Sequence, residues 1–419
     1  MKPLLTTFIL LFSISLLAQE TKAGKKSDFV FTPELLSGVL AEANENFPKH
    51  DPPVALFANF GWEQDNNPQE SAQRLKGPRT GIMLGYTRMG ADSLGSSITV
   101  MPTIEFNVFR KEKLKVLVGM GASYFTEKFD PITNFNNQGI TTDLTMSFRS
   151  FMHYQIISRE LMDWRLGVGY LHHSNGHTRL PNQGLNMFLV SLSADVKGKP
   201  NSRSTAPTTV FERSRYSYVA LRTGLGTNVL STADGFNDLK GIYTVSGEYG
   251  RVLNNTFKLG VGFHYRFYQH YYDYITNNES LVQEGREFES LKDNPGWSAS
   301  NFGVHGAAEI LLNHFGIEIQ IAANFHKPAY PIDWRINQGW KNIPRVIPAE
   351  SNIVLGELDS TYRLKKLISS RMGLKYYLFG NQQPTAHNLF AGIHINSNLG
   401  QADFSELSLG YVYNFGFAE

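Results

Sequence analysis

From Val54 onward, apolar and polar residues alternate in segments of roughly ten, separated by clusters of Asn, Gly, Asp and Pro. A period of two is the signature of strands, because residues i and i+2 share a face. The pattern predicts strands near Val54–Trp62, Thr80–Arg88, Ile98–Val108, Lys115–Phe125, Thr141–Ile157, Trp164–Ser174 and Leu185–Val196. A second set follows near Tyr216–Gly226, Gly241–Gly250, Thr256–Gln269, Asn301–Leu312, Gly316–His326, Arg363–Phe379, Leu389–Asn396 and Glu406–Phe417. The closing segment carries Leu407, Leu409, Tyr411, Tyr413, Phe415 and Phe417 on one face, with Ser408, Gly410, Asn414 and Gly416 on the other. A soluble sheet edge would leave six large apolar groups in water, whereas a membrane barrel turns them to lipid.

The expected fold is therefore all-β, one antiparallel transmembrane barrel over residues 54–419. Fifteen candidate segments and the even count of single-chain barrels give about 14 strands, with 12 to 16 allowed. Lys197–Ser214, rich in Pro, Ser, Thr and Arg, reads as a loop within that barrel, since the two halves show no clear repeat. Gln338–Asp359 reads as an external loop. The aromatic run Phe263–Tyr274 reads as part of an interfacial girdle.

Residues 1–18 have the form of an export signal: Lys2, an apolar core from Leu4 to Leu17, and Ala18 as the small residue before cleavage. Residues 19–53 form an N-terminal lead-in, in which Thr32-Pro33-Glu34 can open a short helix bearing Leu35, Leu36, Val39 and Leu40, or continue as extended chain. Aromatics at 13%, 37 Gly and no Cys favour strands and turns and exclude a disulfide framework. A net charge of +2 gives no footprint for nucleic acid. Past the export signal no apolar run reaches 18 residues, and a mean hydropathy of −0.25 is compatible with a barrel whose strands are apolar on one face only.

Chemistry concentrates in one hairpin, residues 164–196. Trp164, Leu166, Val168, Tyr170, His172 and Ser174 share the apolar face of the first strand, with Arg165 and His173 on the other. Asn186, Phe188, Val190 and Leu192 share a face of the second. If the two strands pair, His172, Ser174 and Asn186 converge at the hairpin's open end: a nucleophile, a general base and a polar group to hold the imidazole. The short link Ser158–Asp163 marks the periplasmic end and the longer Asn175–Gln183 loop the external one. The three groups then face lipid at headgroup depth, where polar groups cost little. By the same alternation the long Lys197–Ser214 segment falls on the periplasmic side, against the rule. His172 and His173 lie on opposite faces, so no metal site is expected from His172, His173 and His177. His394, Asn396 and Ser397 echo the hairpin, but His394 and Ser397 fall on opposite faces.

The hairpin resembles the lipid A 3-O-deacylase family of outer-membrane acyloxyacyl hydrolases, in which a strand ends His-x-Ser-Asn before Pro-Asn-x-Gly and an acid or amide. The matching residues are His172, Ser174, Asn175, Pro181, Asn182, Gly184 and Asn186. The segment from Gly392 to Tyr411 is similar to the close of longer members. The resemblance implies an esterase in the outer membrane of a Gram-negative bacterium that removes an acyl chain from the lipid A of lipopolysaccharide. Ser174 would be nucleophile, His172 base, and Asn175 with backbone N–H groups such as that of Gly176 the oxyanion donors. One departure is plain: the best-known members carry Glu where this chain has Asn186. A His-Ser-Asn triad with His-x-Ser-Asn-Gly also resembles outer-membrane phospholipase A, matched by His172, Ser174, Asn175, Gly176 and Asn186. A third reading, of another class, is a porin-like or structural barrel without activity. No cofactor is expected, calcium through Asp and backbone oxygens stays open by the phospholipase comparison, and a homodimer stays open as well.

Overall fold

The computed structural model describes residues 29–108, 113–197, 211–232, 236–337 and 359–418. The export signal expected over 1–18 lies outside them, as does the stretch Gln338–Asp359 except its last residue. The chain builds two closed antiparallel barrels of eight strands each. The first comprises β1 (Phe29–Ala41), β2 (Val54–Glu63), β3 (Arg79–Arg88), β4 (Ser96–Asn107), β5 (Leu114–Phe125), β6 (Leu144–Ser158), β7 (Met162–Ser174) and β8 (Leu185–Lys197). It closes by pairing β1 with β8, from Val30↔Lys197 to Ala41↔Asn186. The second comprises β9 (Arg215–Asn228), β10 (Lys240–Leu253), β11 (Phe257–Tyr268), β12 (Ser300–Leu312), β13 (Phe315–His326), β14 (Ile368–Tyr377), β15 (His387–Asn398) and β16 (Gln401–Ala418), and closes from β16 to β9.

Two expectations change. The single barrel of about 14 strands over 54–419 is two barrels, 16 strands in all. Alternation reports which residues share a face but not which strands close a ring, so it could not separate one large barrel from two small ones. The stretch Lys197–Ser214 joins the barrels instead of looping within one. Its ends, Lys197 and Ser214, lie at the rim of the short turns, opposite the connections 126–143 and 269–299, and a link between two barrels breaks no rule of barrel topology.

The second change concerns the lead-in, which supplies β1 and completes the first ring. Leu36 and Leu40 fill the lumen while Leu35 and Val39 face outward. A spacing of four suits one face of a helix and one face of a strand alike, so the pattern alone could not decide. Pro33 has no N–H to give, and the ladder to β8 omits Thr32 and Pro33, jumping from Phe31↔Val196 to Glu34↔Ser193.

The remaining adjustments are local. A helix over Asp359–Leu367 takes the start of the strand expected at Arg363. The Phe263–Tyr274 run is strand only to Tyr268; the helix Gln269–Thr276 follows and tucks Tyr271, Tyr274 and Ile275 into an apolar cluster with Tyr268, Ile332 and Phe404 at the outer end of the second barrel.

Both lumens are packed, as an eight-stranded ring requires. In the first, Leu36, Met83, Met101, Phe125, Phe151 and Leu171 fill one part. Another holds an ion-pair network: Arg149 with Glu34 at 2.6 Å, Arg165 with Glu105 at 3.0 Å, and Arg79 with Asp195 at 3.0 Å. In the second, Arg222 and Arg371 flank Glu406 at 2.7 and 3.0 Å, and Lys375 bridges Glu309 and Glu318. Each charge of these networks has an opposite partner, which is what makes its burial tolerable. The outward faces are apolar, with Leu166, Val168, Phe188, Val190, Val261, Ile321 and Leu409 all exposed. Such surfaces suit lipid. Lumens filled in this way do not favour the porin-like reading.

The barrels touch near their link, where Arg74 donates to the carbonyls of Phe211 (3.1 Å) and Glu212 (2.8 Å), and Asn255 donates to Glu70 (3.0 Å). They touch again at the opposite rim, beside the hairpin singled out by the sequence.

Candidate active site

β7 and β8 pair in the register the sequence suggested, with His172 opposite Asn186 and Tyr170 opposite Phe188. The lumen takes Arg165, Leu171 and His173; Trp164, Leu166 and Val168 face outward. His172 and Ser174 continue the outward parity at the end of β7. His173 is turned away, as expected, with Nδ1 at 2.7 Å from Ser147 Oγ and its ring edge-on to Phe125.

His172 Nδ1 lies 2.8 Å from Asn186 Oδ1. An amide oxygen only accepts, so Nδ1 carries the hydrogen and Nε2 is left unprotonated to act as base. Tyr170, which the sequence offered only as one residue of the apolar face, donates its hydroxyl to the same Oδ1 at 2.5 Å. Its ring lies nearly parallel to the imidazole, 13° between planes. Two donors thus converge on one amide oxygen and fix both the ring and the tautomer. Residue parity pointed to Tyr170 all along, since it shares the face of His172 two positions away.

The loop 175–184 shapes the surroundings of Ser174. Asn182 Nδ2 donates to Ser174 Oγ at 2.8 Å, and the Gly176 N–H donates to it at 3.2 Å. Both lone pairs of the hydroxyl are occupied, so its hydrogen is left for a base. No hydrogen bond joins Ser174 to His172 in this structure; such contacts commonly tighten only when substrate is bound. Gly184 must be glycine for two reasons: its φ is +74°, and a Cβ there would sit 2.9 Å from His172 Cε1.

Asn175 does not stand where its expected role required. Its side chain donates to the Arg179 carbonyl at 2.6 Å and accepts from the Thr178 N–H at 3.2 Å, closing its own turn. The amide beside the Ser174 hydroxyl belongs to Asn182, whose oxygen also accepts the Asn175 N–H at 3.0 Å. The Pro-Asn-x-Gly motif contained this residue, but nothing in its spacing said that it folds back eight positions onto Ser174. Gly176 is in place through its backbone. Among the described residues no group of three or more His, Cys, Asp or Glu could hold a metal ion.

The loop is gripped from two sides. The first barrel's own loop 126–143 holds one side: Gln183 and Gly184 donate to the carbonyls of Gln138 and Gly139, at 3.1 and 3.0 Å, and the Thr141 hydroxyl donates to the Pro181 carbonyl. The second barrel holds the other. Asn237 Oδ1 accepts the Leu180 N–H at 3.1 Å while its Nδ2 donates to the Leu180 carbonyl at 2.9 Å. Val229 N–H donates to the His177 carbonyl at 3.2 Å. Ser405, on the outward face of β16, lies against Gly176 and Met146. His177 is half-buried there; loss of water around its ring lowers its pKa, against a smaller pull upward from Asp403.

Comparison with known proteins places this hairpin. Residues 54–195, the first barrel from β2 to the end of the site hairpin, match the family described as Lipid A 3-O-deacylase (PagL). A crystal structure of the outer membrane enzyme PagL aligns with 39% of this chain and 97% of its own, at 15% identity and a TM-score of 0.27. A de novo designed transmembrane β-barrel aligns with 42% of this chain and 99% of its own, at 11% identity and a TM-score of 0.22. No curated protein matches.

Proposed function

We propose that the first barrel is an outer-membrane esterase that hydrolyses an ester-linked, 3-O-acyl chain of lipid A. The observation that carries the reading is a hydroxyl and a tautomer-fixed imidazole, both facing outward at the external end of one strand of a barrel that matches the deacylase family. A lipid ester reaches that position without leaving the outer leaflet.

In the reaction, His172 Nε2 takes the Ser174 proton as Oγ attacks the ester carbonyl. General base catalysis of this kind contributes roughly 10²–10⁴ in rate. The oxyanion develops beside Asn182 Nδ2 and the Gly176 N–H, donors that contribute about 3–4 kcal/mol each when aimed at developing charge. Collapse returns the proton from His172 to the departing sugar hydroxyl and leaves an acyl-Ser174 ester. Water, deprotonated by the same imidazole, then releases the fatty acid. The Asn186 amide with Tyr170 orients His172 in the role that the family's acid fills, but it stabilises the imidazolium less than a carboxylate would.

The test is mass spectrometry of lipid A from cells making the protein, wild type beside Ser174→Ala. Loss of one hydroxyacyl chain with the wild type only is the expected result; identical lipid A in both strains would refute the reading. Glycerophospholipid vesicles lacking lipid A should release no fatty acid, and release there would support a phospholipase instead.

A further inference from the structure

We infer that the second barrel is a positioning partner for the first barrel's active site, and that Asn237 is the residue through which it acts. The inference rests on the esterase reading for its catalytic consequence and on geometry for its mechanical part.

The first barrel is a complete ring, so it does not need the second to close its sheet. The loop that serves Ser174 is different. Over 175–184 the chain is irregular, and Asn182 must fold back from position 182 to reach Oγ at 2.8 Å. Leu180 lies two residues before Asn182, and both its backbone groups pair with the single side chain of Asn237, at 3.1 and 2.9 Å. A reciprocal amide pair fixes position and orientation together, which a lone hydrogen bond does not. Val229 secures the His177 carbonyl and Ser405 packs on Gly176, so that three separate points of the second barrel meet the loop, at Gly176, His177 and Leu180. The own-barrel contacts fall at Pro181, Gln183 and Gly184, on either side of Asn182. Loss of the Asn237 pair therefore loosens the middle of the loop at Leu180, two residues before the Oγ donor Asn182, while Pro181, Gln183 and Gly184 keep their own-barrel contacts.

The experiment uses the full chain with Asn237→Ala and Asn237→Asp, the latter keeping the acceptor for the Leu180 N–H and losing the donor to its carbonyl. Hydrogen exchange is measured across residues 175–184, with β9 and β16 as the reference for an intact second barrel, alongside kcat and KM on lipid A. The Ala variant should show loop exchange at least about tenfold faster, unchanged protection in β9 and β16, and kcat lower by about ten- to a hundredfold at similar KM, since misplacement of about an ångström costs on that scale. The Asp variant should fall between. Unchanged loop exchange in the Ala variant, or faster exchange with kcat untouched, overturns the inference. If the Ala variant disrupts the second barrel, the Asp variant decides by the same criteria. A wild type inactive on lipid A would defeat the esterase reading alone, because loop exchange still tests whether Asn237 holds the loop.

Discussion

β7 and β15 hold the same place in their barrels, seventh of eight, and both carry at their far end an outward serine followed by asparagine: Ser174-Asn175 and Ser397-Asn398. In β7 the outward position two residues earlier is His172; in β15 it is Ile395. Across the ladder His172 faces Asn186, whereas Ile395 faces Ser405. His394 does not substitute, for it points into the lumen at 1% exposure. Ser397 Oγ instead meets Ser370 Oγ at 2.6 Å. The connections differ as well, since 175–184 returns an amide to the serine while β15 and β16 are joined only by Leu399 and Gly400. A hydroxyl at a barrel rim is thus not a site in itself. It needs a base on its own face, an orienting group across the ladder, and a loop long enough to supply donors. Among the described residues none of the three stands at Ser397, and the residue at the orienting position, Ser405, touches the loop of the barrel that has them.

The largest effect should come from the nucleophile. Ser174→Ala should lower deacylation by roughly 10⁴ or more, as removal of a triad serine does elsewhere, while Ser397→Ala leaves the rate unchanged; equal effects would erase the distinction between the barrels. Next comes the orienting group. Asn186→Ala should reduce kcat by about 10²-fold, and Tyr170→Phe by a few-fold, with purified enzyme in detergent. In Asn186→Glu, where a carboxylate takes both roles, Tyr170→Phe should matter less, and an undiminished Tyr170 effect would count against shared orientation of His172.

A smaller effect is expected from pH on the inter-barrel grip. His177 has a pKa lowered by burial, with Asp403 opposing. The freed loop therefore takes up a proton before the docked loop does, so docking is fully present above the free-histidine value of about 6.5 and weakens as pH falls below it. Exchange of 175–184, corrected for its intrinsic rate, should rise on acidification in the wild type and stay flatter in His177→Gln. Smallest of all, Ile395→His in a Ser174→Ala background should restore no activity, because a base alone supplies neither the orienting partner nor the loop donors; measurable deacylation would mean that the loop matters less than its geometry suggests.

Much of the site was legible in the chain because a strand's parity is rigid. Once Trp164, Leu166 and Val168 are outward, His172 and Ser174 follow without further information, and the register of a short hairpin brings Asn186 opposite. Tyr170 was equally accessible by parity, but its hydroxyl's partner was not, since that depends on side-chain torsions. Asn182 was visible only as part of a turn motif. Its role over Ser174, and the closing of Asn175 on its own turn, are set by loop dihedrals that no periodicity encodes.

The sequence by itself determined the alternating strands, the apolar outward belt, and the face on which histidine and serine stand, because these follow from local backbone geometry repeated every two residues. Only the tertiary structure decided that the strands close as two rings of eight, that the lead-in supplies one of them, and that the second ring reaches across to the first ring's loop through Asn237. Those outcomes depend on pairings between residues far apart in the chain, whose free energies compete globally and leave no periodic trace in the order of amino acids.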